Sequence, residues 1–123
     1  MHRQGLARVS LVLLVALIAG GVRSSASLAT EHALFIRGDA NADARVDVSD
    51  AVFDLLFLFA GGEAPSCEKA ADVDDSGGLG LNDAVALLTF LFQEGPRPRD
   101  PFSACGEDST VDDLTCERFS ACE

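Results

Sequence analysis

The chain has 123 residues, with nine Lys or Arg against 20 Asp or Glu and a formal net charge of −11 at neutral pH. So acidic a composition excludes nucleic acid as a partner, because phosphate binding requires clustered basic side chains. The chain also contains no Trp or Tyr, and therefore lacks the aromatic platforms expected of a carbohydrate-binding site.

Residues 1–29 have the pattern of a secretory signal peptide. A short basic stretch with Arg3 and Arg8 precedes an almost wholly apolar run, and small residues follow. We expect cleavage after Ala26 or Ala29, with an uncleaved amino-terminal anchor as the alternative, although the run is short for a membrane span. Cleavage removes three arginines and no acidic residue, so the formal net charge changes from −11 to −14. The mature protein is expected to be secreted, extracellular or periplasmic, without membrane contact.

The rest of the chain divides into three parts. Residues 30–37 form a lead-in, whose apolar residues 34–36 are expected to lie extended against the core. Residues 38–95 contain a duplicated pattern, and residues 96–123 form a tail rich in Pro, Asp and Cys. About 94 residues remain after cleavage, enough for one small domain.

Residues 39–50 and residues 72–83, here loop one and loop two, align without a gap at an offset of 33 residues. Both have oxygen-bearing side chains at loop positions 1, 3, 5 and 12 and an aliphatic residue at position 8, and both lead into an apolar helical run. Calcium takes six to eight oxygens at about 2.3–2.6 Å, and a twelve-residue loop spaced in this way can wrap one ion. The duplication therefore predicts two bound Ca²⁺ ions.

Each loop nominates its own ligands by position. Those of loop one are Asp39, Asn41, Asp43, the carbonyl of Arg45, Asp47 and Asp50. Those of loop two are Asp72, Asp74, Ser76, the carbonyl of Gly78 and Asp83. The sharp turn at position 6 suits Gly77 better than Ala44, whereas loop one has more formal charge, so the relative affinity of the two loops stays open. Val46 and Leu79, at position 8, are expected to pack the loops together.

The apolar runs predict two helices, at about residues 49–60 and 82–93, with one helical turn within residues 66–71. Ser49 or Asp50 is expected to cap the first helix, which ends at Gly61 and Gly62. The second is stopped by Gly95 and Pro96. The fold class is small and all-α, with two loop–helix repeats packed antiparallel and an irregular tail held by disulfides rather than by packing. A helical solenoid is excluded because two copies are too few to stack.

Both helices are apolar nearly all the way round, so the choice of buried face rests on spacing. The expected mutual core comprises Val52, Leu55, Leu56, Phe59, Val85, Leu88 and Phe92. The expected outward set comprises Phe53, Phe57, Leu58, Leu87 and Leu91. This outward set is either covered by Phe35, Ile36, Phe102, Leu114 and Phe119 or forms a contact face for a protein partner.

An even number of cysteines in a short exported chain predicts disulfides, here two. Sequence alone allows three pairings of Cys67, Cys105, Cys116 and Cys122, of which we favour Cys67–Cys105 and Cys116–Cys122. A zinc site is not expected, because there is no CxxC spacing and both histidines lie far from the cysteines.

The two loops and their helices resemble the duplicated repeats of type I dockerin domains. The resemblance rests on Gly38-Asp39-x-Asn41-x-Asp43 with Val46 and Asp50, and on Ala71-Asp72-x-Asp74-x-Ser76-Gly77 with Leu79 and Asp83. It implies a module that binds two Ca²⁺ and docks onto a cohesin domain, usually to recruit a glycan-degrading enzyme. Loop positions 10 and 11 (Val48-Ser49 and Leu81-Asn82) differ from the hydroxyl or small pair usual in that family, and the helices lack its basic residues.

These patterns favour a secreted calcium-binding module that mediates protein–protein docking, with a cohesin-like protein or a second copy of the chain as candidate partner. The alternative is a structural calcium-stabilised protein without a dedicated partner. An enzyme is not expected, because the mature chain has one histidine, His32, and no nucleophile–base pair can be assembled. No glycosidase activity is carried over from the resemblance.

Overall fold

The computed structural model describes residues 32–123, so the predicted signal peptide and the first two lead-in residues lie outside the described range. In the described part, three α-helices occur in chain order: α1 (Val48–Ala60), α2 (Glu68–Ala71) and α3 (Leu81–Phe92). A 3₁₀ turn, Ser120–Cys122, lies near the carboxyl end. No strand forms among these residues, and two isolated antiparallel bridges join Phe35 to Gly106 and Cys67 to Cys116. The three predicted helical segments are confirmed.

Helix α1 is capped by Asp47, not by Ser49 or Asp50 as predicted. The Asp47 carboxylate accepts the Ser49 amide at 2.8 Å, and the Asp50 carboxylate accepts the Asp47 amide at 2.9 Å in return. This reciprocal pair satisfies donors that the first helical turn leaves free. At the other end, left-handed Gly61 (φ 66°) lets the Gly62 amide reach the Leu56 carbonyl at 2.9 Å, which terminates the helix as expected.

Two apolar clusters hold the described chain together. One comprises Phe35, Ile36, Cys67, Ala70 and Phe119, so the lead-in, α2 and the tail share it. The other comprises Ala51, Val73, Ala84 and Leu87 at the contact between α1 and α3. Val46 packs against both clusters, whereas Leu79, which is half-buried as well, belongs to neither. The lead-in thus packs against the core, as predicted.

The buried faces of α1 and α3 differ from those predicted, although Leu55 and Leu88 of the expected core do pack against the apolar cluster. Leu87, expected outward, is fully buried, whereas seven apolar residues form a stripe on the exposed side. The stripe comprises Val48, Val52, Leu56 and Phe59 on α1 and Leu81, Val85 and Phe92 on α3. The reason is that Asp50 and Asp83 turn inward near the helix starts, and the residues four positions later, Asp54 and Leu87, share their face and are buried with them. Apolar spacing alone did not define the orientation, because both faces are apolar.

The disulfides differ from the favoured pairing. Cys67 joins Cys116, and Cys105 joins Cys122. The reason is that Phe119 is buried beside Cys67, which brings the last part of the tail onto α2 instead of leaving it as a local loop. The tail is therefore packed as well as crosslinked, contrary to expectation. Two disulfides indicate an oxidising compartment. Among residues 32–123, no helix combines the length and the hydropathy that a bilayer crossing requires.

Candidate metal centre

The first carboxylate of each loop is completely buried and is held by its own loop. Asp39 and Asp72 each accept the amide of loop position 5 at 3.0 Å and the amide of position 6 at 2.9 Å, in both loops. Both side chains have 0% exposure. The shared geometry follows from the equal spacing of the two sequences.

The last carboxylate of each loop also accepts hydrogen bonds from backbone amides of its own loop. Asp50 and Asp83 accept the amide of position 9 at 2.9 Å in both loops, and the amide of position 3 at 3.3 Å and 3.2 Å respectively. Each is also the third residue of the helix that follows, so one side chain links the loop to the first turn of its helix. The side chains at position 3, Asn41 and Asp74, accept the position 5 amide at 3.1 Å in both loops.

The backbone turns in the same way in both loops. Positions 4 and 6 have positive φ in each: 58° and 71° at Ala42 and Ala44, and 56° and 83° at Asp75 and Gly77. Alanine there costs on the order of 1 kcal/mol relative to glycine. Loop one thus adopts the turn despite lacking the glycine at position 6.

These turns gather the carboxylates. Carboxylate oxygens of Asp39, Asp43 and Asp50 lie within 4.8 Å of one another, as do those of Asp72, Asp74 and Asp83. The remaining predicted ligands lie in the same loops. Asn41 is half-buried, Arg45, Ser76 and Gly78 are exposed, and the Gly78 carbonyl accepts the Ser76 hydroxyl at 3.2 Å. Asp47, predicted as a ligand, serves as the cap of α1.

Burial raises the pKa values of the carboxyl groups at the first and last positions of both loops. It raises the pKa of Asp50 and of Asp83 to about 7, and it also raises the pKa values of Asp39 and Asp72, in each case against the lowering effect of backbone amides. Within residues 32–123, no ion pair involves these four carboxylates; the cations Arg37, Lys69, Arg97 and Arg118 pair elsewhere. Buried charges in proteins are paired or coordinate metals. A hard cation with oxygen ligands fits this donor set.

A third carboxylate group, which sequence reasoning missed, lies beside loop two. Oxygens of Asp72, Asp75 and Asp112 lie within 4.8 Å of one another. Here protein cations are already present, because Lys69 lies 2.7 Å from Asp112 and Arg37 lies 3.2 Å from Asp75. This group is therefore neutralised internally. The sequence gives little indication of this group. The chain has few basic residues and many carboxylates, so each basic side chain has many potential partners.

No family model, curated protein or solved structure matches the chain. The chemistry of the two loops is therefore inferred from their own residues.

Proposed function

We propose that residues 38–95 bind two calcium ions and act as a docking module of a secreted protein. The observation that supports calcium best is the repetition of the same hydrogen bonds around Asp39 and Asp50 in loop one and around Asp72 and Asp83 in loop two. In each loop three carboxylates have oxygens within 4.8 Å of one another, so that one cation could contact all three. All donors are oxygens, the preference of calcium rather than of softer metals.

The ions would neutralise buried carboxylates that lack protein cations. Asp39, Asp43 and Asp50 would hold one ion, and Asp72, Asp74 and Asp83 the other, with Asn41, Ser76 and the two predicted carbonyls as further ligands. Calcium bound there would stabilise the folded chain, because the unfolded chain cannot gather these oxygens.

The docking surface that we propose is the exposed stripe on α1 and α3. Its members recur at the repeat offset: Val48 with Leu81, Val52 with Val85, and Phe59 with Phe92, the last two both 69% exposed. An apolar surface of this kind usually marks an interaction site. The occupant that we propose is a folded extracellular protein, with a cohesin-like domain as the candidate implied by the resemblance. The stripe replaces the outward set predicted from sequence.

The test of calcium binding is isothermal titration of the oxidised, chelator-treated protein with CaCl₂. We expect two ions per chain, and one ion per chain in the variant Asp39→Ala or Asp72→Ala. No heat of binding in the intact protein would refute the proposal. Magnesium provides the matched control, because its small octahedral shell suits such a loop less well.

The test of docking is direct binding of a purified cohesin domain, together with capture from an extracellular fraction, each with and without EGTA. Support requires binding that depends both on calcium and on the stripe residue Leu56. The second candidate, a structural calcium protein, is favoured by the tail contacts that surround loop two. It would be selected if calcium raised stability while no stripe-dependent partner bound. Self-association through the stripe would appear in sedimentation of the protein alone.

A further inference from the structure

Arg37 lies fully buried beneath the start of loop two. Its guanidinium donates to the carbonyls of Asp72 at 2.9 Å and Lys69 at 3.3 Å. It also pairs with Asp75 at 3.2 Å and with Asp108 at 3.0 Å. One lead-in side chain thus contacts the first residue of the loop, its fourth residue and the tail.

The tail completes this network from the other side. The Thr110 hydroxyl lies 2.7 Å from Oδ1 of both Asp75 and Asp108, within donating distance of either. Lys69 joins Asp108 at 3.1 Å and Asp112 at 2.7 Å. Although burial opposes it, hydrogen bonds from Thr110 and Lys69 and the charge of Arg37 hold the pKa of Asp108 at about 2, so this carboxylate stays ionised.

Loop one has a weaker counterpart. The residue equivalent to Asp75 is Ala42, which has no polar side chain, and the hydrogen bond from the tail to it is a 3.4 Å contact from the Ser120 hydroxyl to the Ala42 carbonyl. Asp75 and Ala42 have nearly the same φ, 56° and 58° respectively. The left-handed turn at position 4 is therefore held by a charged network in loop two, whereas in loop one its contact with a tail side chain is that single 3.4 Å hydrogen bond from Ser120.

We infer that the tail segment 108–112, acting through Arg37 and Lys69, holds loop two in its binding conformation, so that loop two fills with calcium before loop one. This inference rests on the proposed calcium function. A site that is already ordered loses less conformational entropy on binding and therefore binds more tightly. Asp75, Asp108 and Thr110 are positioning residues that act on the ion through the loop backbone.

The experiment is a calcium titration of the oxidised, chelator-treated protein, followed by ¹⁵N amide resonances. The amides of Gly77 and Ala44 report loop two and loop one separately, because each donates to the first carboxylate of its own loop. In the wild type, the Gly77 midpoint is expected at lower calcium than the Ala44 midpoint. Thr110→Val and Asp75→Asn are each expected to raise the calcium concentration at the Gly77 midpoint roughly tenfold. The loss of one hydrogen bond to a charged group has an effect of about this size on an equilibrium constant.

The controls separate positioning from general stability. Thr110→Ser keeps the hydroxyl and should restore the wild-type midpoint, and Ser120→Ala should leave Gly77 unchanged. A purely structural role of the tail would shift both amides together, and that result would overturn the inference. An unshifted Gly77 midpoint in both variants, or a wild type in which Ala44 responds first, would overturn it as well. If neither amide responds to calcium, the proposed function itself fails, and this inference fails with it.

Discussion

Asp54 and Leu87 occupy equivalent positions of the two repeats, and both are buried where α1 meets α3, at 3% and 0% exposure. Leu87 belongs to the apolar cluster there, whereas Oδ2 of Asp54 has no hydrogen-bond partner. Burial, and then the nearby charges of Asp83 and Asp50, raise the pKa of Asp54 to about 7. One repeat thus has a leucine where the other has an unsatisfied carboxylate.

Replacing Asp54 by leucine should therefore stabilise the calcium-free protein. Removing a buried, unsatisfied polar group is expected to gain about 1–3 kcal/mol, since its desolvation cost is relieved. The measurement is urea denaturation in EGTA at neutral pH. The control, Leu87→Ala, should instead lose about 2–5 kcal/mol. A destabilised Asp54→Leu variant would show that the carboxylate has a favourable partner.

The calcium-free protein should become less stable as the pH rises from about 4 to about 7. The pKa values of Asp50, Asp54 and Asp83 are raised from 3.8 to about 7 by burial, so the folded state binds more protons than the unfolded state in this window. The contribution of these three groups to stability is complete below 3.8, their pKa in the unfolded state. It is lost as the pH rises through about 7, their pKa in the folded state.

Calcium should reverse the sign of this dependence, because protons and calcium compete for Asp50 and Asp83. Thermal melts at about pH 5 and about pH 8, with EGTA and with saturating calcium, test both trends. Parallel pH trends in the two conditions would contradict calcium binding at these carboxylates. The lowered pKa of Asp108, about 2, affects the pH dependence of stability only in more acidic solution.

Chelation should lower both the helical content and the melting temperature. Without an ion, the carboxylates of each loop repel one another across less than 4.8 Å, and two of them, Asp50 and Asp83, lie in the first turns of α1 and α3. The free energy of unfolding should rise with the free calcium concentration, because calcium binds the folded state and not the unfolded state. Circular dichroism melts with and without EGTA provide the measurement, and identical curves would refute the prediction.

The Cys67–Cys116 bridge should contribute more to stability than a surface crosslink. It closes a separation of 49 residues, and Cys67 lies in the apolar cluster with Phe35 and Phe119. The double variant Cys67→Ala/Cys116→Ala is expected to lose about 2–5 kcal/mol. Urea denaturation measures the loss. Peptide mapping of the intact protein checks the pairing, and a Cys67–Cys105 peptide would contradict it.

Polar substitutions in the exposed stripe should abolish docking without unfolding the protein. Leu56 and Phe59 are 51% and 69% exposed, so Leu56→Ser with Phe59→Ser removes little burial and should leave the melting temperature nearly unchanged. Partner binding, measured by surface plasmon resonance in calcium, should be lost. A matched change on the half-buried face, Phe53→Ser, should instead lower stability. A stable stripe variant that still binds the partner would eliminate this surface.

Sequence spacing determined the loops and the helices that follow them. Loop positions are counted along the backbone, and the bonds that Asp39 and Asp50 accept span at most nine residues. Such local geometry can be read from residue order alone. The same holds for the glycine that ends α1.

Tertiary structure decided which helix face is buried, how the cysteines pair and where the tail lies. Both faces of α1 and α3 are apolar, so apolar spacing does not define which face is buried. The inward direction of Asp50 and Asp83 decides it. The Cys67–Cys116 bridge and the Arg37 network join residues between 32 and 71 positions apart. Contacts over such separations depend on the burial of Phe35 and Phe119 in one cluster, and no local pattern in the chain encodes that arrangement.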